Sequence, residues 1–443
     1  MCALSFLPIK ISTQSMDESL LTKKKELSSA YRWSVLVVIS LAMFGNYYVY
    51  DAISTLADVL VRQLGFTDSD IGLLQGIYSV PNIFMVLIGG FIIDRLGTRI
   101  STLLFAALCL IGAIITASSG VLAVMATGRL IFGLGAESLI VAVTTAIAKW
   151  FKGKELSFAF GINLTIARLG SFAALNSPSW ASRAYENWQS PLLITVIFGV
   201  ICVVAAVLYW ILEVRAEKRF SLGEAGSTDK VVFSDIFKFG KSYWLIVGLC
   251  VTFYSAIFPF QTFAVKFFMD AHGTSRELGG FLSSMLTLFA MVATPLFGLL
   301  VDKVGKRALF MMFGSLLIIP VYLIMAYTHI SLYLPMAMMG IAFSLIPGVM
   351  WPSVSYLVDQ SKLGTAYGLM TLVQNIGLAG FNFLIGWAND YGNASACNPK
   401  GYALGMWIFS TLGFIGFLFA FLLRKRETGP NAHGLETITI TKS

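Results

Sequence analysis

The stretch GFIIDRLGTR at residues 90–99 returns in similar form as GLLVDKVGKR at residues 298–307. Both copies hold a glycine, an aspartate followed by a basic residue, a second glycine and a closing arginine, and both follow an apolar segment. A second pair of segments, 160–170 and 367–377, begins with an aromatic residue and glycine, ends with glycine, and repeats at nearly the same offset. Two separate landmarks with nearly one offset indicate an internal duplication. The sequence therefore predicts a chain of two similar halves.

The composition predicts a helical membrane protein. The chain is 57% hydrophobic and 12% charged, about half the charge of a typical soluble domain. Its apolar runs of roughly 20 residues are long enough to cross a bilayer as helices. We predict twelve spans, at 32–57, 69–93, 99–119, 121–149, 155–179, 190–213, 241–268, 276–301, 306–327, 331–359, 362–389 and 402–424. The expected fold class is an all-α membrane protein with two pseudo-symmetric bundles of six transmembrane helices.

The spans and the repeat together predict how the chain is divided. The predicted segments are a cytoplasmic tail (1–31), an N-terminal six-helix bundle (32–213), a polar cytoplasmic linker (214–240), a C-terminal six-helix bundle (241–424) and a second cytoplasmic tail (425–443).

The positive charge of the chain is distributed unevenly along it. The net charge is +8, from 31 Lys and Arg against 23 Asp and Glu. Most of the basic residues fall on the segments that join the spans on one side. Four are predicted on the opposite side: Arg62, Arg183, Arg276 and Lys400. This asymmetry follows the positive-inside rule, so it predicts that both termini are cytoplasmic, and it favours a lipid bilayer over nucleic acid as the partner of the basic segments.

Neither an enzyme nor a bound cofactor is expected. The five cysteines are scattered, the three histidines are isolated, and no His/Cys metal spacing occurs. The sequence has no Gly-rich phosphate loop, and no polar segment is long enough to hold a catalytic domain. We therefore expect no metal, no cofactor and no ATP-driven step, and any driving force must be a gradient of an ion or of the substrate.

The duplicated stretch resembles the signature loop of the major facilitator superfamily, which lies between spans two and three. GRLIFGLGAE at residues 128–137 is similar to the fourth-span motif of that family. The resemblance covers almost the whole chain. It implies two six-helix bundles, each an inverted pair of three-helix repeats, with the substrate bound between them near the middle of the membrane. Alternating access would then be a rocking of one half against the other.

Shorter blocks look like one subfamily, the dipeptide transporters of animal lysosomes and their bacterial relatives. These blocks are 128–139, 150–156, 167–171, 253–260, 363–368 and 374–377. The stretch DESLL at 17–21 is one residue short of an acidic dileucine sorting signal. The resemblance implies transport of small zwitterionic solutes, above all dipeptides, by uniport or with protons. The membrane would be lysosomal in a eukaryote and the inner membrane in a bacterium.

The two signature loops are predicted to form gates. The candidate gating residues are Asp94, Arg95, Arg99, Asp302, Lys303 and Arg307. The Asp94 carboxylate would lie beside the cytoplasmic start of span eleven, and that of Asp302 beside span five. A carboxylate near a helix N-terminus is stabilising by about 0.3–1 kcal/mol. Such contacts can form only while the cytoplasmic side is closed; the alternative is a solvated loop needed only for topology.

Two opposite charges at matching depth in neighbouring spans predict a binding site. Glu137 lies in span four and Arg168 in span five, and each costs about 2.5–3.5 kcal/mol at a helix centre in lipid. In the functional interpretation Glu137 accepts a substrate ammonium and Arg168 binds a carboxylate with both arms of its guanidinium. A zwitterion of dipeptide size fits between them. The alternative is a structural ion pair that ties the two spans together.

The other candidates each have a structural alternative. Arg129 lies on the same helical face as Glu137 and is predicted to serve either structure or proton coupling. Asp51, which follows three tyrosines, is either a substrate or proton site or a cap of its helix. Lys266 is expected to extend its amine to the membrane surface. Four uncharged residues inside spans are weaker substrate-binding candidates: Tyr254, Trp351, Gln374 and Asn375.

Two other functions compete with dipeptide transport. A proton-coupled transporter of organic ions or drugs is one, although residues 160–179 lack the glycine-proline signature of drug antiporters in span five. The other is a membrane receptor that transports nothing, for which long folded tails or loops would be expected.

Overall fold

The computed structural model of the protein describes residues 28–151, 155–219, 239–430 and 432–439. Within these ranges the chain is helical, and the only extended pairing is an isolated bridge between Ser395 and Asn398. The helices are α1 Ser29–Asp51, α2 Ala57–Leu64, α3 Asp68–Gly76, α4 Ser79–Ser118, α5 Leu122–Phe151, α6 Leu156–Leu175, α7 Ser177–Trp180, α8 Gln189–Arg219, α9 Lys241–His272, α10 Arg276–Val304, α11 Arg307–Tyr327, α12 Tyr333–Leu357, α13 Leu363–Tyr391 and α14 Ala403–Glu427. The predicted all-α membrane fold is confirmed.

Eleven helices of the described chain are long and apolar enough to cross a membrane. The predicted spans two and three lie in α3 and α4, but the boundary between α3 and α4 does not coincide with the boundary between the two spans. Span two is interrupted after Gly76, at the turn that holds Ile77 and Tyr78. Spans two and three are then joined in α4, which bends at Gly97, where φ is 77° and ψ is 165°. Only glycine adopts that backbone region readily, so the signature loop can be very short.

We call residues 29–219 the N-terminal half and residues 240–439 the C-terminal half. The face at which α1 begins and α14 ends is called the terminal face, and the opposite face is called the distal face. Two apolar core clusters lie wholly in the N-terminal half. A third contains the core of the C-terminal half and includes Ile53, Leu60 and Leu74 from the N-terminal half. These three residues are near the distal ends of their helices, so the halves share a core there.

Glycines allow the two halves to approach closely at the distal face. A Cβ added to Gly280 at the start of α10 would lie 2.2 Å from the Leu175 carbonyl oxygen at the end of α6. A Cβ on Gly72 of α3 would lie 2.3 Å from the Asn382 carbonyl oxygen of α13. At the other ends of α6 and α10, a Cβ on Gly161 or Gly298 would meet nothing within 4 Å. The structure is therefore closed at the distal face, and α6 and α10 leave free space towards the terminal face.

The first residues of the predicted linker, 214–219, are helical. Helix α8 continues beyond residue 213 to Arg219, because its last turns carry acidic residues that pair with the terminal ends of other helices. The Lys149 amine lies 2.7 Å from Glu213 and 3.2 Å from Glu217, and Arg99 lies 2.6 Å from Glu217. Several sequence predictions fall on residues outside the described ranges: the first tail through residue 27, the sorting signal at 17–21, residues 152–154 and most of the linker.

The segment after α14 packs back onto the protein. Leu435 is fully buried, and the Glu436 carboxylate accepts hydrogen bonds from the backbone N–H groups of Ala308 and Leu309, at 2.7 and 3.3 Å. These are free donors of the first turn of α11. Arg307 donates to the Ile438 carbonyl oxygen at 2.8 Å. The predicted second tail thus contains a docked segment, residues 432–439, against the second signature loop.

Candidate functional site

A cavity of about 290 Å³ lies between the two halves. It is lined by helices from both of them. Its lining residues are Asn46, Tyr47, Tyr50, Asp51, Tyr78, Glu137, Ile140, Arg168, Ser171, Tyr254, Phe258, Gln261, Leu286, Thr287, Phe343, Trp351, Thr371, Gln374 and Leu378. Six of the seven sequence-predicted binding residues are among them.

The lining is asymmetric in charge. Its three ionisable acid and base groups, Asp51, Glu137 and Arg168, all belong to the N-terminal half. The C-terminal half contributes aromatic rings and amides instead. There the Trp351 indole donates to the Tyr254 hydroxyl at 3.0 Å. A ligand in this cavity would be held by charge on one side and by rings and amides on the other.

Glu137 projects from α5 towards the interruption of span two. Its carboxylate accepts a hydrogen bond from the Tyr78 hydroxyl at 3.1 Å. Tyr78 stands at the junction of α3 and α4, so the break in the helix places its phenol. One turn before Glu137, a Cβ on Gly133 would lie 2.3 Å from the Tyr78 carbonyl oxygen. The glycine lets α5 approach the break closely enough for this hydrogen bond.

Arg168 lies between two aromatic rings. Its guanidinium lies 5.5 Å from the ring centre of Tyr47 in the N-terminal half and 5.5 Å from that of Phe343 in the C-terminal half. Such cation–π contacts orient the group and leave its N–H donors available. Among the described residues, no ion pair within 4.0 Å joins Arg168 to Glu137. The alternative of a structural ion pair is therefore disfavoured in this conformation.

Asp51 and Arg129 occupy different surroundings although both are buried. Asp51 is the last residue of α1, where the chain tightens into a 3₁₀ turn, and its side chain lines the cavity. Arg129 lies outside the cavity lining. It donates to the carbonyl oxygens of Val49 and Leu74, both at 3.2 Å, and to the Gln75 side chain at 2.7 Å. These hydrogen bonds join the ends of α1 and α3 to α5. They support a structural role for Arg129.

The seventh candidate, Asn375, lies beside the cavity and not in its lining. Its side chain faces Asn82 across the two halves, with 3.5 Å between the amide nitrogen of Asn82 and the oxygen of Asn375. Asn375 also donates to the Thr371 carbonyl oxygen at 2.9 Å. It contributes to the contact between the halves in this conformation.

The sequence interpretation missed a polar network at the distal face. Lys266 does not extend to the membrane surface: it is 6% exposed, and its amine lies 3.1 Å from the Asp68 carboxylate of the opposite half. The expectation for Lys266 was wrong because its partner lies on another helix, far away in sequence. Asn389 also donates to Asp68, at 3.0 Å. A second pair, Arg276 with Asp58, joins the halves nearby.

The same network caps a helix. The Asp390 carboxylate of α13 accepts hydrogen bonds from the backbone N–H groups of Asp68 and Ser69 at the start of α3, at 2.8 and 2.7 Å. The cap satisfies free donors of the helix and places negative charge at its positive end. This is the chemistry expected of the signature-loop aspartates, found here at the opposite face. One sequence signal could have revealed this network: an aspartate near the end of one span and a lysine near the same end of another span.

The candidate gating residues lie at the terminal face. Arg99 pairs with Glu217 of its own half. Arg307 lies 3.1 Å from the Asp302 carboxylate and 3.1 Å from the Tyr356 hydroxyl, all within the C-terminal half. The side chains of Asp94, Arg95 and Lys303 are exposed. The gate contacts predicted for a closed cytoplasmic side stay a prediction, because they belong to the alternative conformation.

The fold and its central cavity define a membrane transport protein, and comparison with known proteins establishes the family. The model of the Major Facilitator Superfamily matches residues 39–382 and 260–439. The chain belongs to this family and is an integral, multi-pass membrane protein.

Individual relatives narrow the comparison. The chain is 34% identical over 375 residues to the lysosomal dipeptide transporter MFSD1 of Bos taurus, covering 82% of this chain and 80% of that protein. It is 33% identical to the human protein of that name over the same shares. Among solved structures, a bacterial homologue of the human lysosomal transporter Spinster superposes with a TM-score of 0.70 at 17% identity, covering 90% of this chain and 98% of that one. The nucleoside transporter NupG superposes with a TM-score of 0.69 at 14% identity, covering 89% and 99%. These likenesses at low identity support the fold alone.

Proposed function

We propose that this protein is a secondary transporter that moves dipeptides across a membrane by alternating access. The observation that supports it best is a carboxylate and a guanidinium in one cavity that do not pair with each other. Glu137 would bind the substrate ammonium, and Arg168 the substrate carboxylate. A lone anion would leave Glu137 without a partner, and a lone cation would leave Arg168 without one. The relatives named as dipeptide transporters and the family's transporter function support this interpretation over an enzyme.

The neutral side of the cavity is suited to variable side chains. Tyr254, Phe258 and Phe343 present rings, and Gln374 presents an amide. Rings and amides accept apolar and polar groups without a charge requirement. Dipeptides share their two charged ends and differ in their side chains. We therefore assign recognition of the ends to the N-terminal half and tolerance of the side chains to the C-terminal half.

The distal network would hold one state of the transport cycle. Asp68 with Lys266 and Asp58 with Arg276 join the halves only while the distal face is closed. The positive-inside asymmetry supports a cytoplasmic position for the terminal face. The conformation described here would then release substrate to the cytoplasm. In the opposite state the network separates, and the signature loops close the cytoplasmic side through Asp94 and Asp302.

Uniport and proton coupling both fit the cavity. Asp51 and Glu137 are acids that line it, and either can change its protonation when substrate enters or leaves. The membrane would be that of the lysosome in a eukaryote, as for the named relatives, or the inner membrane in a bacterium.

The test is transport by the purified protein in liposomes. Labelled Ala-Ala is offered outside, with unlabelled dipeptides, amino acids, sugars, organic cations and nucleosides as competitors. We expect competition by dipeptides with free ends, and little by amino acids or by dipeptides blocked at either end. Competition by organic cations alone would support the drug-transporter alternative. Binding without uptake of any substrate would support a receptor.

A further inference from the structure

A second cavity, of about 620 Å³, lies at the terminal face between the start of α9 and the end of α14. It shares no lining residue with the cavity between the halves. Its lining residues are Lys241, Trp244, Leu245, Phe419, Leu422, Lys425, Arg426, Gly429 and Pro430. The proposed transport function uses none of them.

The cavity is cationic where α9 begins and α14 ends. Lys241, Lys425 and Arg426 are its three charged lining residues, and none of the nine residues in the lining is acidic. The nearest acid along the chain, Glu427, is 2% exposed and already accepts hydrogen bonds from Ser242 and His433. The cations therefore have no carboxylate of the described lining as a partner.

Local structure fixes one of these cations in place. The Arg426 Nε donates to the Ser242 Oγ at 2.9 Å, which ties the end of α14 to the start of α9. Helix α9 begins at Lys241 without an acidic residue in its first turn and without a side-chain cap. The positive end of the α9 dipole and the negative end of the α14 dipole meet here and offset each other, so the three cations supply the positive charge of the cavity.

The rest of the cavity is apolar. The Phe419 ring packs against Gly248, where an added Cβ would lie 2.8 Å from it. Trp244 is 41% exposed and Leu422 is 39% exposed. A tryptophan beside lysine and arginine at a span end is typical of the level of lipid headgroups. A soluble phosphate would satisfy the cations and leave this wall uncovered.

We infer that this cavity binds an anionic phospholipid of the leaflet at the terminal face. Its phosphate contacts Lys241, Lys425 and Arg426, and an acyl chain lies on the wall formed by Trp244, Phe419 and Leu422. A phospholipid carries both parts in one molecule, a negative headgroup and an apolar chain, in the same order as the cavity. Binding there would link the first helix of the C-terminal half to its last.

The experiment is native mass spectrometry of the purified full chain with added phosphatidylglycerol or phosphatidylcholine. The variant Lys241→Gln/Lys425→Gln should lower retained phosphatidylglycerol by at least about tenfold relative to wild type. The matched control Arg215→Gln/Lys218→Gln removes the same charge from exposed residues at the end of α8 and should change retention less than about twofold. Phosphatidylcholine should bind weakly to all three proteins. Melting temperature and dipeptide uptake in phosphatidylcholine liposomes verify that each variant is folded.

Three results would overturn the inference. Equal losses in the variant and the control would mean that lipid binds by the general charge of the face. Displacement of phosphatidylglycerol by equimolar glycerol phosphate would mean that the site takes free phosphates. Retention by wild type no greater than by the variant would mean that the cavity is unoccupied or filled by another part of the chain. None of these results would affect the proposed transport of dipeptides.

Discussion

Glu137 and Arg168 lie in the same cavity without neutralising each other. Their partners are rings and a phenol: Tyr78 for Glu137, and Tyr47 and Phe343 for Arg168. Aromatic contacts fix a charged side chain while leaving part of its charge unsatisfied. The arrangement is therefore ready for a ligand that brings two opposite charges.

Conservative changes at these two residues should affect different ends of the substrate. Arg168→Lys keeps the charge but loses the planar pair of donors, so dipeptide affinity should fall about tenfold. Glu137→Gln removes the ammonium partner and should weaken free dipeptides far more than N-acetylated ones. Affinities are measured by calorimetry on the purified variants, with Arg183→Lys, an exposed residue of a distal loop, as the control. A double variant Glu137→Gln/Arg168→Gln that folds and still binds dipeptides would mean that the pair is scaffolding.

Asp51 separates uniport from proton coupling. Asp51→Asn keeps the shape of the cavity lining but removes an acid. If protons are transported through this carboxyl, the pH dependence of uptake should flatten while exchange of substrate across the membrane continues. Both are measured in liposomes over a range of external pH. An unchanged pH profile would argue for uniport or for Glu137 as the titrating group.

At the scale of elements, the two signature loops are supported in different ways. In the N-terminal half, the long helix α8 supplies Glu217 to Arg99. In the C-terminal half, α14 ends at Glu427 and the chain returns, so that Glu436 caps the start of α11. Both devices satisfy charged or polar groups beside a signature loop. The two copies of the loop are thus similar in sequence, but residues from different parts of each half stabilise them.

The docked segment should stabilise the start of α11. Leu435→Ala removes a fully buried side chain, and truncations of this kind cost roughly 2–5 kcal/mol where the site cannot collapse. We expect faster hydrogen exchange at residues 306–310, measured by mass spectrometry, as the segment detaches. Ile438→Ala is the matched control, because Ile438 lies on the same segment and is 41% exposed. Equal exchange in the two variants would mean that burial of Leu435 does not hold the segment in place.

At the scale of the whole molecule, the distal face is closed by backbone contact as well as by ion pairs. Gly280 and Leu175 approach so closely that no side chain fits between α10 and α6. The Lys266–Asp68 pair lies within this contact surface and is buried. Separating the halves must therefore expose both the pair and the glycine contact together, which favours two discrete states over a gradual opening.

A bulky residue at Gly280 should shift the protein away from the conformation described here. Gly280→Leu would place a side chain where the Leu175 carbonyl oxygen lies, so the distal face cannot close. Gly298→Leu, on the same helix, meets open space in this conformation and should leave distal closure intact. Spin labels at exposed distal positions of the two halves, with distances measured by pulsed electron resonance, report the opening. A similar distribution of distances in both variants would contradict the prediction.

The amino-acid sequence by itself determined the apolar segments, the duplication and the charged residues of the cavity. Apolar runs and the positive-inside asymmetry are local properties, so the helix ends could be predicted within a few residues. A charge inside a span is equally visible, and Glu137, Arg168 and Asp51 were found in that way. What these features share is that the cost of burying charge or backbone in lipid acts on each segment separately.

Only the tertiary structure decided which residues meet. Lys266 pairs with Asp68, Asp390 caps α3, and Glu436 caps α11. Each of these contacts joins segments that are far apart in sequence. The break between α3 and α4 likewise places the Tyr78 hydroxyl beside Glu137 of α5, a contact that only the packing of these helices creates. Such pairings depend on how the helices of the two halves are placed against each other. A pattern within one segment could point to a charge that needs a partner, but it could not specify which distant residue that partner is.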